Sequence, residues 1–122
     1  MRKHVATLAG LALALAFVVL FFSGRYESKP FNVVAMQIGL TPDDLIAMVP
    51  RISSQSGATM GTSRRVVYLM ACSGVATSAT LEGHAMAAAN IAEKQGVTPR
   101  EATKSVLGAI PAPQGIEALR HC

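Results

Sequence analysis

At 122 residues the chain has room for one domain, and about 100 residues or fewer remain once a membrane segment is set aside. Hydrophobic residues make up 51% and charged residues 15%, Trp is absent, and Ala, Leu, Val and Met dominate, a palette that favours helix over strand. The formal charge of +4 falls to about +1 beyond Arg25, where eight basic residues face seven acids, so no basic field large enough to hold nucleic-acid phosphates is expected.

The chain opens on Met1-Arg2-Lys3-His4 and then runs for 20 residues without a formal charge, Val5 to Gly24 (VATLAGLALALAFVVLFFSG). At a rise of about 1.5 Å per residue, such a helix covers a hydrocarbon core about 30 Å thick. A cleaved signal has a shorter apolar run, with small residues one and three positions before the cut. A cut after Ser23 or Gly24 puts Phe21 or Phe22 at the outer of these positions, and a cut after Ala35 lies well past the run. Residues 1–25 are therefore read as an uncleaved inner-membrane anchor, with secretion to the periplasm after cleavage as the alternative. Arg2 and Lys3 favour an N-terminus inside, which places residues 26–122 in the periplasm as one small helical domain. Arg25 and Lys29 dilute that bias without reversing it. Ala6, Gly10 and Ala14 recur every fourth residue and would let a second helix approach closely, although export segments are commonly Ala-rich.

Beyond the anchor, two connections repeat one chemistry: Gly39-Leu40-Thr41-Pro42-Asp43-Asp44 and Gly96-Val97-Thr98-Pro99-Arg100-Glu101. In each, Gly can end a helix in the left-handed region, and Thr can cap the next helix, with Pro at its first position and an acid at its third. Leu40 and Leu45 have the spacing of a hydrophobic staple. The expected elements are helices over 31–38 and 42–49, a break at Pro50, and a Ser/Thr/Gly-rich loop over 53–63. A long helical stretch over 64–95 follows, open to interruption near residues 74–80. Then come a helix over 99–110, the Pro111-Ala112-Pro113 break, and a last turn or two to Cys122. No alternating strand pattern is present, so the expected class is all-α.

Val66 to Leu81 (VVYLMACSGVATSATL) is a second uncharged stretch. Sixteen residues with four Ser/Thr are marginal for a span of about 20 apolar residues, and a buried core helix is the simpler reading. Cys72 and Cys122 are the only cysteines, and in an exported small domain an even pair points to a disulfide. There is no Cys-x-x-Cys redox pair. A Cys72 nucleophile could use His84 or His121, but 12 residues along a straight helix set Cys72 and His84 about 18 Å and 120° apart. Met70, Cys72, His84 and Met86 offer soft ligands suited to copper(I), while spacing by two puts each pair on different helix faces, and the methionines serve equally as core filler. Ala71, Ala79, Gly83 and Ala87 fall on one i, i+4 ridge of the long stretch, a surface for a partner helix or for the domain's own core. Ile91 to Ala102 (IAEKQGVTPREA) resembles the turn of a helix-turn-helix and departs from it at Ser105, where that motif has an apolar side chain. The resemblance implies DNA binding; the near-neutral outer domain and its expected export argue against it.

The resulting expectation is a non-enzymatic, membrane-anchored periplasmic protein of bacterial type, without cofactor, that acts by protein–protein interaction. Accessory subunit, immunity protein and lysis regulator all fit that description, with the inner membrane and another envelope protein or a homo-oligomer as partners and no nucleic acid. The competing readings are a periplasmic copper- or thiol-handling protein and a two-span holin-like hairpin.

Overall fold

The computed structural model describes residues 30–122. The hydrophobic run over residues 5–24, with Ala6, Gly10 and Ala14, lies outside the described residues. In chain order the helices are α1 (Phe31–Gln37), α2 (Pro42–Ser56), α3 (Met60–Cys72), α4 (Leu81–Gln95), α5 (Pro99–Ala109) and α6 (Pro113–Ala118), closed by a 3₁₀ turn at Leu119–His121. The described residues contain no strand, as the composition and periodicity lead one to expect.

Both repeated connections fold as their residues require. Gly39 and Gly96 take φ of 75° and 65° at the ends of α1 and α4. Thr41 Oγ1 accepts the Asp44 N–H at 3.2 Å, and Asp44 Oδ2 accepts the Thr41 N–H at 2.9 Å, a reciprocal capping box. Thr98 Oγ1 accepts the Glu101 N–H at 3.2 Å at the start of α5. Replacing Thr98 with Ala is expected to cost about 1 kcal/mol. The backbone N–H of Thr41, and then its hydroxyl, hold the Asp44 carboxyl below its ordinary pKa of 3.8. A depressed folded-state pKa contributes stability above the ordinary carboxylate value, and that stability is lost as pH falls through the folded value. Asp44→Asn should flatten this acid-side dependence, read from unfolding midpoints between about pH 2 and 5. An unchanged profile would mean that the box does not matter to stability.

Pro50 does not break α2, contrary to the sequence expectation. Leu45, Met48, Val49 and Ile52 keep one buried stripe running past it, while Pro50 itself sits on the exposed side. The missing N–H leaves the Ile46 carbonyl without its i+4 donor, a local loss that the continuous buried face outweighs. The expected loop over 53–63 shrinks to Gly57–Thr59, because its hydroxyls serve helix ends instead of a coil. Ser56 Oγ donates to the Ile52 carbonyl at 2.6 Å, Ser53 Oγ to the Ala58 carbonyl at 2.7 Å, and Thr59 Oγ1 accepts the Thr62 N–H at 3.1 Å to start α3.

The long stretch over 64–95 is two helices. Ser73 Oγ donates to the Met70 carbonyl at 2.6 Å and accepts the Val75 N–H at 3.3 Å, and Gly74 turns at φ 72°. The uncharged run over 66–81 is therefore the second half of α3 plus a turn, and does not form one continuous helix. It lacks charge because α3 is central: it packs against α1, α2, α4 and α5, and every residue from Val66 to Cys72 is buried. Among the described residues no single helix is long and apolar enough to cross a membrane; α1 and α2 meet that measure only as a pair bent by 96°. Against α3, α4 turns Ala85, Ala88, Ala89 and Ala92, small residues that let the two helices lie close. The buried serines and threonine among the described residues, Ser63, Ser73 and Thr103, all donate to carbonyls three or four residues back.

The C-terminus is held twice. Arg100 on α5 donates to the Leu119 carbonyl, and its Nη2 donates to the Cys122 carbonyl at 2.8 Å. Cys122 is joined to Cys72 at the end of α3, with Cα atoms 6.1 Å apart across 50 residues of sequence. The expected pairing is the one found, and it pins the last residue onto the central helix.

Candidate functional site

Among the described residues, one surface feature that the packing leaves open is a groove between α2 and the first half of α3. It encloses about 540 Å³ and is lined by Ile46, Val49, Pro50, Met60, Gly61 and Arg64. Helical spacing builds the α2 wall: Ile46, Val49 and Pro50 follow at i, i+3 and i+4. The α3 wall comes from Met60, Gly61 and Arg64, at i, i+1 and i+4. Ile46 is 57% exposed and Met60 53%, so two large apolar side chains stand at the rim in water. On α1, Met36 is 72% exposed and Val33 is also open, so among the described residues four of the five exposed large hydrophobics fall within residues 33–60. Within the described residues, such clustering on α1 to α3, with Ile110 the one case elsewhere, marks this half of the domain as the one with unfinished burial.

Arg64 ties the groove to the start of the described chain. Its guanidinium lies over the Phe31 ring, 4.9 Å from the centroid, and Phe31 stacks on Tyr68 with centroids 6.2 Å apart. The chain thus enters the domain beside the groove. Elsewhere on the surface Arg51 on α2 meets Glu82 on α4, Nε to Oε1 at 3.0 Å, and the carboxylate raises the Arg51 pKa above its ordinary value. Both side chains are open to water, so this pair contributes little to stability.

The residues singled out as soft ligands lie on α3 and α4. Met70 is fully buried in the core, Cys72 is spent in the disulfide, and His84 and Met86 lie half-buried on α4. Bonded sulfur offers neither a thiolate nucleophile nor a thiolate ligand. Among the described residues no three of His, Cys, Asp and Glu gather into a metal-sized group. The small-residue ridge also divides. Ala71 is buried on α3, whereas Ala79 in the turn and Gly83 and Ala87 on α4 are exposed, because the helix that would have aligned them ends at Cys72. The alanines that do serve as a close-packing ridge are those on the opposite, buried side of α4. In the stretch similar to a helix-turn-helix, Ala92 is buried and Ser105 is exposed, its hydroxyl donating to the Glu101 carbonyl at 3.1 Å.

The groove residues escaped the sequence reading because Pro50 read as a break and 53–63 as a loop. The signal was present all the same: Leu45, Met48, Val49 and Ile52 repeat at helical spacing straight through Pro50. No protein family, no curated protein and no solved structure matches this chain.

Proposed function

We propose that this protein is a membrane-anchored helical module of the bacterial envelope that works by binding another protein chain rather than by catalysis. The observation that carries the reading is the open apolar groove, with Ile46 and Met60 exposed at its rim, on the side where the chain enters the domain. An exposed apolar patch next to a hollow is the usual mark of a protein contact. Three features support the address. The run from Val5 to Gly24 has the length and apolarity of a span, Arg2 and Lys3 precede it, and the paired cysteines suit an oxidising compartment. The domain is then a small body, tied by one crosslink and held near the membrane, that offers an apolar hollow to a partner.

Topology is the first test. A reporter active only in the periplasm, fused after Cys122, should be active, and one active only in the cytoplasm should be silent. The reverse pattern would sink the anchor orientation and, with it, the compartment on which the disulfide depends.

A further inference from the structure

We infer that the occupant of the α2–α3 groove is a second copy of this chain, docked by the same face in an isologous pair. The inference rests on the membrane-anchored association reading above and names the partner within it.

Two observations lead to it. The first is where the chain outside the described residues ends. Only Arg25 to Lys29 separate the uncharged run from Pro30, so the domain sits within about 20 Å of the end of that run even when the link is fully extended. Phe31, under the Arg64 guanidinium, then places the groove beside this point of entry. Two copies held by that run in one membrane carry their grooves at the same height and meet at high effective concentration. The second is shape. Ile46 and Met60 stand exposed on the two walls of a hollow that Val49, Pro50 and Gly61 also line, so one patch offers both projecting side chains and a recess. A two-fold pair needs this combination, since each copy must offer what the other receives.

Gly61 makes the idea testable without disturbing the fold. A Cβ built there meets only Thr59 Oγ1, at 3.9 Å, so a larger side chain at this position fills the groove instead of the core. A photo-crosslinking side chain placed at Met60 in the full chain, irradiated in intact membranes, should give a product of twice the chain mass containing this sequence alone. Gly61→Leu should reduce that product at least tenfold without lowering the unfolding midpoint, and Ile46→Asp should likewise reduce the product should Gly61→Leu fail to fold. The same probe at Lys104, on the exposed side of α5 away from the groove, should give no such product. Capture of a different protein from Met60 would overturn the second-copy inference and leave the association reading standing. A doubled product that survives both substitutions, or arises equally from Lys104, would overturn the groove as its site. No product from Met60 in correctly inserted protein would overturn both readings together.

Discussion

Replacing Cys72 and Cys122 together with Ala is expected to destabilise the domain by up to about 4 kcal/mol, the chain-entropy value for a crosslink closing a loop of this length. Domains of this size have about 5–15 kcal/mol in total, so the loss is a large share of it. The damage should begin at the C-terminus. The segment from Pro113 onward is short, and it is tied down by buried Gly115 and Leu119, by two carbonyls that accept from Arg100, and by the disulfide. Without the crosslink, only Arg100 and the buried Leu119 hold the 3₁₀ turn. Amide exchange over residues 113–122 should therefore speed up before the rest of the domain responds. Urea unfolding of the full chain, with and without reductant, gives the stability difference. Alkylation before reduction should find no free thiol in protein taken from the envelope. Equal midpoints in the two redox states, or full alkylation of both cysteines in native protein, would remove the disulfide from the account of stability.

What the sequence made legible, and what it hid, divides by the range of the forces involved. The Thr41 and Thr98 caps are local: a hydroxyl reaching an N–H three residues ahead needs nothing from the rest of the chain, and both were readable from six residues. The pairing of Cys72 with Cys122 was readable for a different reason, since two cysteines allow one intramolecular connection. Pro50 was misread because its local penalty is plain in the sequence, whereas the burial of Leu45, Met48, Val49 and Ile52 that overrides it belongs to tertiary packing. The run over 66–81 had the same ambiguity from the other side. An uncharged helix is what a membrane requires, and also what a central helix touched by four others requires. The groove lay beyond reach for a compound reason: one wall was assigned to a break and the other to a loop, so no surface could form between them. Which alanines of α4 face inward also had to wait for the structure, because Ala85 and Ala87 are chemically identical and the position of α3 alone separates them.

Gly115→Val is expected to destabilise the domain by about 1–3 kcal/mol, and Gly83→Ala to stabilise it by about 0.5–1 kcal/mol, though both positions are glycines within helices. Gly83 is exposed on α4, and a Cβ there meets nothing within 4 Å. Ala at that position only reduces the freedom of the unfolded chain and suits the helix better. Gly115 is buried in α6, where a Cβ would fall inside contact distance of Val75 Cγ2 and lie 3.2 and 3.4 Å from the two Leu107 methyls. Its φ is not positive, so what the position requires is the absence of a side chain rather than an unusual backbone. Leu107 is fully buried on α5, and Val75 stands in the turn that separates α3 from α4. Any added atom must push that turn or lift α6 off α5, and lifting α6 carries Leu119 and Cys122 with it. Gly115→Ala should fall between the two, since Val75 is only half-buried and its turn can yield a little. Unfolding midpoints of the three variants should therefore rank Gly83→Ala above wild type, then Gly115→Ala, then Gly115→Val. A Gly115→Val protein as stable as wild type would show that α6 is not packed on Val75 and Leu107 as described, and the double hold on the C-terminus would lose its packing partner.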